Sequence, residues 1–222
     1  SKFIKPLLAK INMNEEKILN QVPVDYYQTG IKKNILQRTW HFGKLKTILS
    51  LIDKYPSSVL DVGCASGWFL SQIAKRYPKA KHVGIDKYKK AINYGKKRYK
   101  FLTLRYADAH ELPFSSKSFD LIICTEVLEH VANPGSVLQE IRRVLKDGGS
   151  VIIKMDSGNF LFRVVWHWWT NVRKGVWRDA HLHLFTVNKL TKMLSSNGFI
   201  VSKKRAFNYT MGIVFLLKKS VN

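Results

Sequence analysis

The segment "VLDVGCASGWFL", from Val59 to Leu70, carries the strongest signal for the fold. An apolar segment leads into a turn of small residues, after which the chain becomes apolar again. Small side chains allow the backbone to approach a ligand closely. Asp61 lies two residues before the first glycine, so the ligand meets a carboxylate. The small residues of the turn are Gly63, Ala65 and Gly67.

Strands and helices alternate on both sides of this loop. The segments "SVLDVG", "HVGID", "LTLRYAD", "SFDLIIC" and "SVIIKMD" are typical of strands, and helix-length segments separate most of them. Such an alternation predicts an α/β fold with a parallel sheet, in which strands buried on both faces are continuously apolar. The last two strands, "FIVSKKRAF" and "GIVFLLKK", are joined by a short polar link, which predicts an antiparallel pair.

The residues of the loop exclude two common classes of ligand, and this narrows the choice of ligand. A triphosphate site requires a Lys followed by Ser or Thr, which the loop lacks. A dinucleotide site requires G-x-G-x-x-G, whereas bulky Trp68 stands at the place of the third small residue. Asp61 would repel a pyrophosphate and attract a cationic ligand. S-adenosylmethionine carries a sulfonium and an ammonium group and no phosphate.

The motifs in and after the loop resemble those of the class I S-adenosylmethionine-dependent methyltransferases, in the broad small-molecule group. "DVGCASG" is similar to the first family motif, except that Ala65 replaces the usual middle glycine. The segments "VGID", "YADAHELPF", "FDLIICTEVLEHV" and "LKDGG" follow in the family order. The resemblance implies a Rossmann-like open, mostly parallel seven-stranded sheet with helices on both faces and an antiparallel final strand.

The resemblance also implies the cofactor and a set of residues around it. Asp86 would accept the ribose hydroxyls, and Asp108 with Ala109 would meet the adenine. It also implies an N-terminal segment that covers the cofactor with a cation for the methionine carboxylate. Arg38 is chosen for this role because its fork suits a carboxylate, and packing against the sheet edge is the alternative. It further implies that Cys64 and Cys124 lie close together on the pocket floor. The full set of predicted cofactor-binding residues is Asp61, Gly63, Cys64, Ala65, Gly67, Asp86, Lys87, Asp108, Ala109, Thr125 and Arg38. No metal is expected.

Candidates for a general base lie after the fourth strand and before the last helix. Glu126 follows the strand, and His181 and His183 fall on one side of an extended segment. Histidine is the side chain whose ordinary pKa suits a base near neutral pH. A purely structural role for each histidine is the alternative, and for His130 capping or packing is preferred to catalysis.

A segment rich in tryptophan separates the fifth strand from the last helix. At helical spacing, one face is apolar and the opposite face is basic or polar. The pattern predicts an amphipathic helix over residues 160–177 that lies at the pocket mouth and covers an acceptor or contacts a membrane surface. Burial in the core is the alternative. The apolar face is Leu161, Val165, Trp168, Trp169, Val172 and Val176, and the other is Arg163, His167, Asn171, Lys174 and Arg178.

The organisation expected from these segments is one domain over residues 1–222. It comprises a helical cap (1–57), a cofactor-binding core (58–156), the aromatic and basic insert (157–185), and a last helix with a β-hairpin (186–222). The chain has no apolar run long enough to span a membrane and no recognisable signal peptide, so a cytoplasmic protein is expected, with peripheral membrane contact as an option.

The net charge of the chain does not identify the methyl acceptor. The chain carries 38 Lys and Arg against 15 Asp and Glu, a net charge of +23. Such a field attracts an anionic membrane or a nucleic acid, although it is equally consistent with a solvated surface. The favoured hypothesis is a methyltransferase for an apolar or lipid-like small molecule. The alternatives are an RNA-directed methyltransferase and a cofactor-binding protein without catalysis. The oligomeric state is not indicated.

Overall fold

The computed structural model describes residues 22–172, 182, 183 and 185–220. The N-terminal segment begins with two helices, α1 (Tyr26–Lys33) and α2 (Ile35–Leu49). The alternating part follows as β1 (Ser58–Val62), α3 (Trp68–Arg76), β2 (Lys81–Asp86), α4 (Lys89–Arg98), β3 (Thr103–Tyr106), β4 (Phe119–Thr125), α5 (Pro134–Val144) and β5 (Leu145–Asp156). The rest comprises α6 (Phe160–His167), a π-helical turn (Trp168–Val172), α7 (Val187–Ser196), β6 (Phe199–Phe207) and β7 (Gly212–Lys219).

The strands form one seven-stranded sheet in the order β3-β2-β1-β4-β5-β7-β6. The first five strands are parallel, and β7 is antiparallel to both β5 and β6. The predicted α/β fold and antiparallel final strand are therefore confirmed. The segment "LKDGG" lies at the start of β5, where the register with β4 shifts between Phe119 and Leu121.

The two faces of the sheet carry separate apolar cores. Alternate residues of β1 and β4 enter opposite cores, because successive side chains of a strand point to opposite faces. Cys64 belongs to the core that includes Val59 and Ile123, and Cys124 to the one that includes Leu60 and Ile122. The two thiols are free and buried, as expected, but they do not share a pocket floor.

The helices of the insert follow β5 at the carboxyl edge of the sheet. Residues 160–172 are helical, and the rest of the predicted helix lies outside the described residues. None of the eight residues of α6 is buried. Its attachment runs through Phe162, whose ring stacks on Trp166 at 5.7 Å and lies 6.5 Å from Trp40 of α2.

The parallel strands position the site because their carboxyl ends meet at one edge. Ligands of open α/β sheets bind beyond this edge, where the strand order reverses. Here the reversal falls between β1 and β4, which pair directly. No helix in the described part of the chain is both long and apolar enough to cross a membrane.

Candidate functional site

The loop after β1 is shaped by residues with left-handed backbone. Gly63 and Gly67 have φ of 77° and 78°. A Cβ on Gly63 would lie 2.2 Å from Cγ2 of Val127, so only glycine fits there. Ala65 also has a positive φ, 47°, which strains a residue with a side chain. The loop thus keeps the glycine-type conformation despite the alanine.

Asp86, at the end of β2, fastens this loop. One carboxylate oxygen accepts a 2.7 Å hydrogen bond from the backbone N–H of Ala65. The other accepts a 2.7 Å bond from the N–H of Tyr88. Burial raises the pKa of Asp86, and these N–H bonds oppose that rise. The Asp86 side chain therefore fixes the loop and also lines the cavity next to the loop.

Asp61 is a buried carboxylate with an unused acceptor. Its Oδ2 atom makes no hydrogen bond and is shielded from solvent. Burial raises the pKa of Asp61 to about 8, although nearby Lys44 lowers it. Asp61, Lys44 and His41 line the same small hollow, which Cys64 and Thr125 also border. A ligand with an ammonium and a carboxylate group would find a partner for each here.

His41 is the second buried group in this hollow with an unused polar atom. Its Nδ1 atom makes no hydrogen bond, and burial together with Lys44 lowers the pKa of His41 to about 3. The imidazole is therefore neutral at physiological pH and can donate or accept one hydrogen bond to a ligand without adding charge.

Glu126 follows β4 in a left-handed conformation, with φ of 59°. Its Oε1 atom lies 2.6 Å from Nζ of Lys154 and 3.5 Å from Nζ of Lys44. Burial raises its pKa, but the two lysines outweigh burial and hold the pKa well below its usual range. Lys154 is itself fully buried and lies 2.5 Å from Asp156. Glu126 therefore stays ionised and is a weak base.

Sequence analysis missed Lys154 and preferred Arg38 to Lys44, although each of the two lysines carries a signal. Lys154 interrupts the apolar strand segment "SVIIKMD". Lys44 falls on the buried face of α2, three residues after His41 and four before Ile48. A lysine is almost never fully buried unless it is paired, so a lysine at an apolar position predicts an ionic partner.

Asp108 lies in the turn after β3 and is already bonded within the site. Its Oδ1 accepts bonds from the backbone N–H of His110 at 2.9 Å and contacts the Nδ1 of that ring at 2.7 Å. Its Oδ2 lies 3.2 Å from Nζ of Lys87. Burial alone would raise the pKa of Asp108, but these bonds lower it to about 2.

The main cavity brings most of the predicted residues together. Of the predicted cofactor and catalytic residues, it is lined by Gly63, Ala65, Asp86, Lys87, Asp108, Ala109, Thr125 and Glu126. Asp61 and Cys64 line the adjoining hollow. Gly67 lies at the start of α3 and lines neither. The N-terminal segment closes one side with Val22, Pro23, Val24, Tyr26 and Tyr27.

Arg38 is placed away from the cavity. It is exposed, and its guanidinium donates to the carbonyls of Ile31 at 3.1 Å and Lys32 at 3.2 Å. Those bonds cap the end of α1. The structure thus gives no support to Arg38 as a cofactor ligand, and Lys44 is the cation of α2 that borders the site.

The predicted histidines differ in their placement. His181 lies outside the described residues. The Nε2 atom of His183 lies 3.0 Å from the carbonyl oxygen of Val131, and the backbone N–H of His183 donates to the backbone carbonyl of Glu129 at 3.1 Å. His183 does not line the cavity, whereas His130 does. Glu129 is buried, and burial raises its pKa to about 8.

The donors and acceptors around the cavity fit S-adenosylmethionine. The unbonded Oδ2 of Asp61 can accept from an ammonium, and Lys44 lies in the same hollow for a carboxylate. Asp86 and Asp108 supply carboxylates further along the cavity wall. The left-handed loop leaves backbone room beside them.

Comparisons with known proteins agree with this geometry. A family model for a methyltransferase domain matches residues 54–198. A demethylmenaquinone methyltransferase of Thermotoga maritima is 26% identical over 82% of this chain and 89% of its own length. A fatty-acid O-methyltransferase of Mycolicibacterium smegmatis is 33% identical over 41% of this chain, which spans 34% of that relative. The chain spans less than two thirds of the length of several curated relatives it matches.

Solved structures share the fold. A crystal structure of a SAM-dependent methyltransferase from Thermotoga maritima superposes with a TM-score of 0.72 at 20% identity and covers 92% of this chain and 99% of its own. The family match covers more than half of the chain and includes the loop, Asp86, Asp108 and Glu126. The chain therefore belongs to the methyltransferase domain family, as a class I enzyme with S-adenosylmethionine as its cofactor.

Proposed function

We propose that this enzyme methylates an apolar or lipid-like small molecule. The observation that carries the proposal is the apolar part of the wall of the main cavity. That part is built from Val22, Pro23, Val24, Val127, Val131 and Leu182. Apolar walls with few polar groups are typical of pockets for apolar ligands. The names of the quinone and fatty-acid relatives support the same class of acceptor.

The cofactor would be held by residues from three strand ends and α2. Asp61 would accept the ammonium at its unbonded oxygen, and Lys44 would meet the carboxylate. Asp86 would accept the ribose hydroxyls while it holds the N–H of Ala65. Asp108 would face the adenine amine with the oxygen that now contacts Lys87. Ala109 would pack on the adenine ring.

S-adenosylmethionine supplies a methyl carbon that its sulfonium activates, so the residues of the site mainly align the acceptor. Glu126 lines the cavity with an ionised carboxylate that Lys154 holds in place. Such a carboxylate accepts a hydrogen bond from an acceptor hydroxyl and orients it, but its low pKa makes it a poor proton acceptor. The remaining candidates for a base are Glu129, whose pKa burial raises to about 8, and the histidines at positions 130, 181 and 183.

Labelled methyl transfer tests the acceptor class. The full chain is incubated with methyl-labelled S-adenosylmethionine and either a total lipid extract or total RNA from bacteria. We expect label in the organic phase with lipid, and none in RNA. Asp86→Ala should abolish the label, because the ribose hydroxyls lose their acceptor. Asp53→Asn is the matched control, since Asp53 is exposed and remote from the cavity wall. Label in RNA alone would refute the proposal.

An RNA acceptor is the second candidate, and one surface favours it. Exposed lysines of α4 lie beside β3, whose edge exposes Arg105 and Tyr106. Phe101, between them in the chain, is also exposed. Basic groups interleaved with exposed aromatic rings are typical of single-stranded nucleic acid binding. RNA binding should then weaken linearly in a plot of log affinity against log salt.

A further inference from the structure

We propose that α6 and the turn between β6 and β7 form a membrane-docking surface that binds an anionic lipid bilayer. The proposal rests on the proposed function in one respect, because docking would bring the enzyme to a lipid-like acceptor. The surface consists of Phe160, Leu161, Val164, Val165, Trp168 and Tyr209, and it is called the docking surface below.

The docking surface begins with the outward face of α6. Phe160 is 82% exposed, and Leu161, Val164, Val165 and Trp168 are exposed by 42%, 49%, 40% and 39%. Their spacing of three and four residues places the last four on one side of the helix. These side chains therefore form a continuous apolar stripe in contact with solvent.

The opposite side of α6 already has its partner in the protein. Phe162 and Trp166 are partly buried and stack on each other, and Phe162 contacts Trp40. Trp40 in turn lies 5.2 Å from Phe207 and 5.0 Å from Nζ of Lys154. The helix is thus fixed by one apolar side while a second apolar side faces outward. The contacts of Phe162 and Trp166 with the rest of the protein do not account for the outward apolar stripe.

The turn between β6 and β7 lies beside the start of α6. The side-chain amide of Asn159, which caps α6, donates to the hydroxyl of Thr210 at 2.9 Å and to its carbonyl at 3.2 Å. Tyr209, the neighbouring residue, is 87% exposed. Asn208, Tyr209 and Thr210 all have left-handed backbone, with φ of 48°, 55° and 65°. The turn therefore presents a tyrosine at the same edge as Phe160.

The charge around the docking surface selects the partner. From Ser157 to Ser220 the sequence contains one acidic residue, Asp179, against many lysines and arginines. Arg163 is exposed on α6 itself, and Lys203, Lys204 and Arg205 are exposed on the strand that leads into the turn. An apolar stripe flanked by cations binds the boundary between acyl chains and anionic headgroups. Tyrosine and tryptophan favour this boundary as well.

Orientation connects the docking surface with the cavity. α6 follows β5, and β6 ends at the same edge of the sheet as β5, because both are antiparallel to β7. The cavity lies at that edge, beyond β1 and β4. A bilayer bound to the docking surface would therefore face the catalytic edge of the sheet rather than its back.

Vesicle sedimentation tests the proposal directly. The full chain is mixed with vesicles of phosphatidylcholine alone or with 30% phosphatidylglycerol, at about 0.1 M salt. We expect sedimentation with the anionic vesicles, at least tenfold weaker in the triple variant Leu161→Ser, Val165→Ser, Tyr209→Ser. The matched control is the triple variant Phe101→Ser, Tyr106→Ser, Ile200→Ser, whose sites are 63%, 57% and 55% exposed and outside the docking surface. It should sediment like the parent.

Two further measurements keep the outcomes distinct. S-adenosylmethionine affinity and far-UV circular dichroism must be unchanged in both triple variants, which shows that folding is intact. Equal sedimentation of the parent and the docking variant would overturn the proposal. So would a parent dimer that the docking variant converts to a monomer, because the surface would then bind a second copy. Methyl transfer to a detergent-dispersed lipid extract is scored separately, so a wrong acceptor class and a wrong docking surface give different results.

Discussion

The carboxyl ends of β1 to β5 and the segment from Phe160 to Val172 adjoin each other but are built in opposite ways. At the strand ends, polar groups are buried, and Lys154 is paired there with Glu126 and Asp156. In α6 no residue is buried, and apolar side chains lie in solvent. The first region places polar groups inside, and the second places apolar groups outside.

The two regions are therefore under different constraints, one set by ion pairing and the other by exposure to solvent. A buried ion pair is costly to leave incomplete, so its members are constrained by each other. An exposed apolar stripe contributes little to folding, since its side chains stay in water before and after the chain folds. Variants at the buried ion pairs should therefore change stability, whereas variants in the exposed stripe should leave stability unchanged and affect function.

The largest expected effect is at Lys154. Lys154→Ala would leave Glu126 and Asp156 without their shared cation in a buried site, which costs about 3–5 kcal/mol of unfolding free energy. Chemical denaturation measures the loss. Lys97→Ala, at an exposed lysine of α4, should change stability by less than about 0.5 kcal/mol. Equal effects of the two variants would mean that the buried cluster does not stabilise the fold.

The second effect concerns cofactor binding and pH. The pKa of Asp61 is about 8 before binding, so the carboxyl is protonated at pH 6. The ammonium of the cofactor favours the ionised form, so binding releases a proton and tightens as pH rises from 6 to 8. The expected gain is up to about 50-fold, levelling off above pH 8. Calorimetric titration across this range measures it.

Asp61→Asn provides the control for this pH dependence. The amide cannot ionise, so the variant should bind the cofactor weakly and lose the rise between pH 6 and 8. Any rise that remains belongs to another group, such as Glu129, whose pKa is also about 8. An unchanged profile in the variant would exclude Asp61 as the origin.

A smaller effect is expected at Ala65. Its φ of 47° strains a residue with a Cβ, and Ala65→Gly removes that strain. Glycine loses more backbone entropy on folding, so the net gain is at most about 1 kcal/mol. Thermal melting should show a slightly higher midpoint, with unchanged cofactor affinity. A lower midpoint would show that the Ala65 methyl group packs usefully in the loop.

The smallest effect on stability is expected in α6. Leu161→Ser with Val165→Ser changes exposed sites and should alter the unfolding free energy by less than about 0.5 kcal/mol per site. Ile152→Ala, at a fully buried position of β5, should cost about 2–5 kcal/mol. A large loss in the α6 variant would mean that the stripe is part of the core, and it would erase the contrast between the two regions.

The sheet could be predicted from the sequence because its signals are local. Each strand is an apolar run, and the loop from Gly63 to Gly67 consists of consecutive small residues. The cluster of Lys44, Glu126 and Lys154 could not be predicted in this way. These residues are far apart in the chain and come together only in the folded protein. The resemblance supplied a cation near the cofactor but not the residue. Arg38 and Lys44 are six positions apart in α2, about 240° around the helix, so only tertiary packing decides which one faces the site.

The insert shows a second limit of the same kind. Its amphipathic pattern predicted a helix, and residues 160–172 are helical. The helical spacing of the apolar residues could not tell which of them would pack against the rest of the protein. Phe162 and Trp166 do so because Trp40 of α2 lies beside them, and the predicted apolar face with Leu161 and Val165 points outward.

The close approach of α4 to the cofactor loop sets how this protein can evolve. A Cβ on Gly95 would lie 2.4 Å from the backbone oxygen of Ser66, so selection should admit no other residue there. The basic residues of α4 are exposed, while Ala91, Ile92 and Gly95 face inward. Substitution of the exposed lysines of this helix should therefore change its positive charge without disturbing the loop from Gly63 to Gly67.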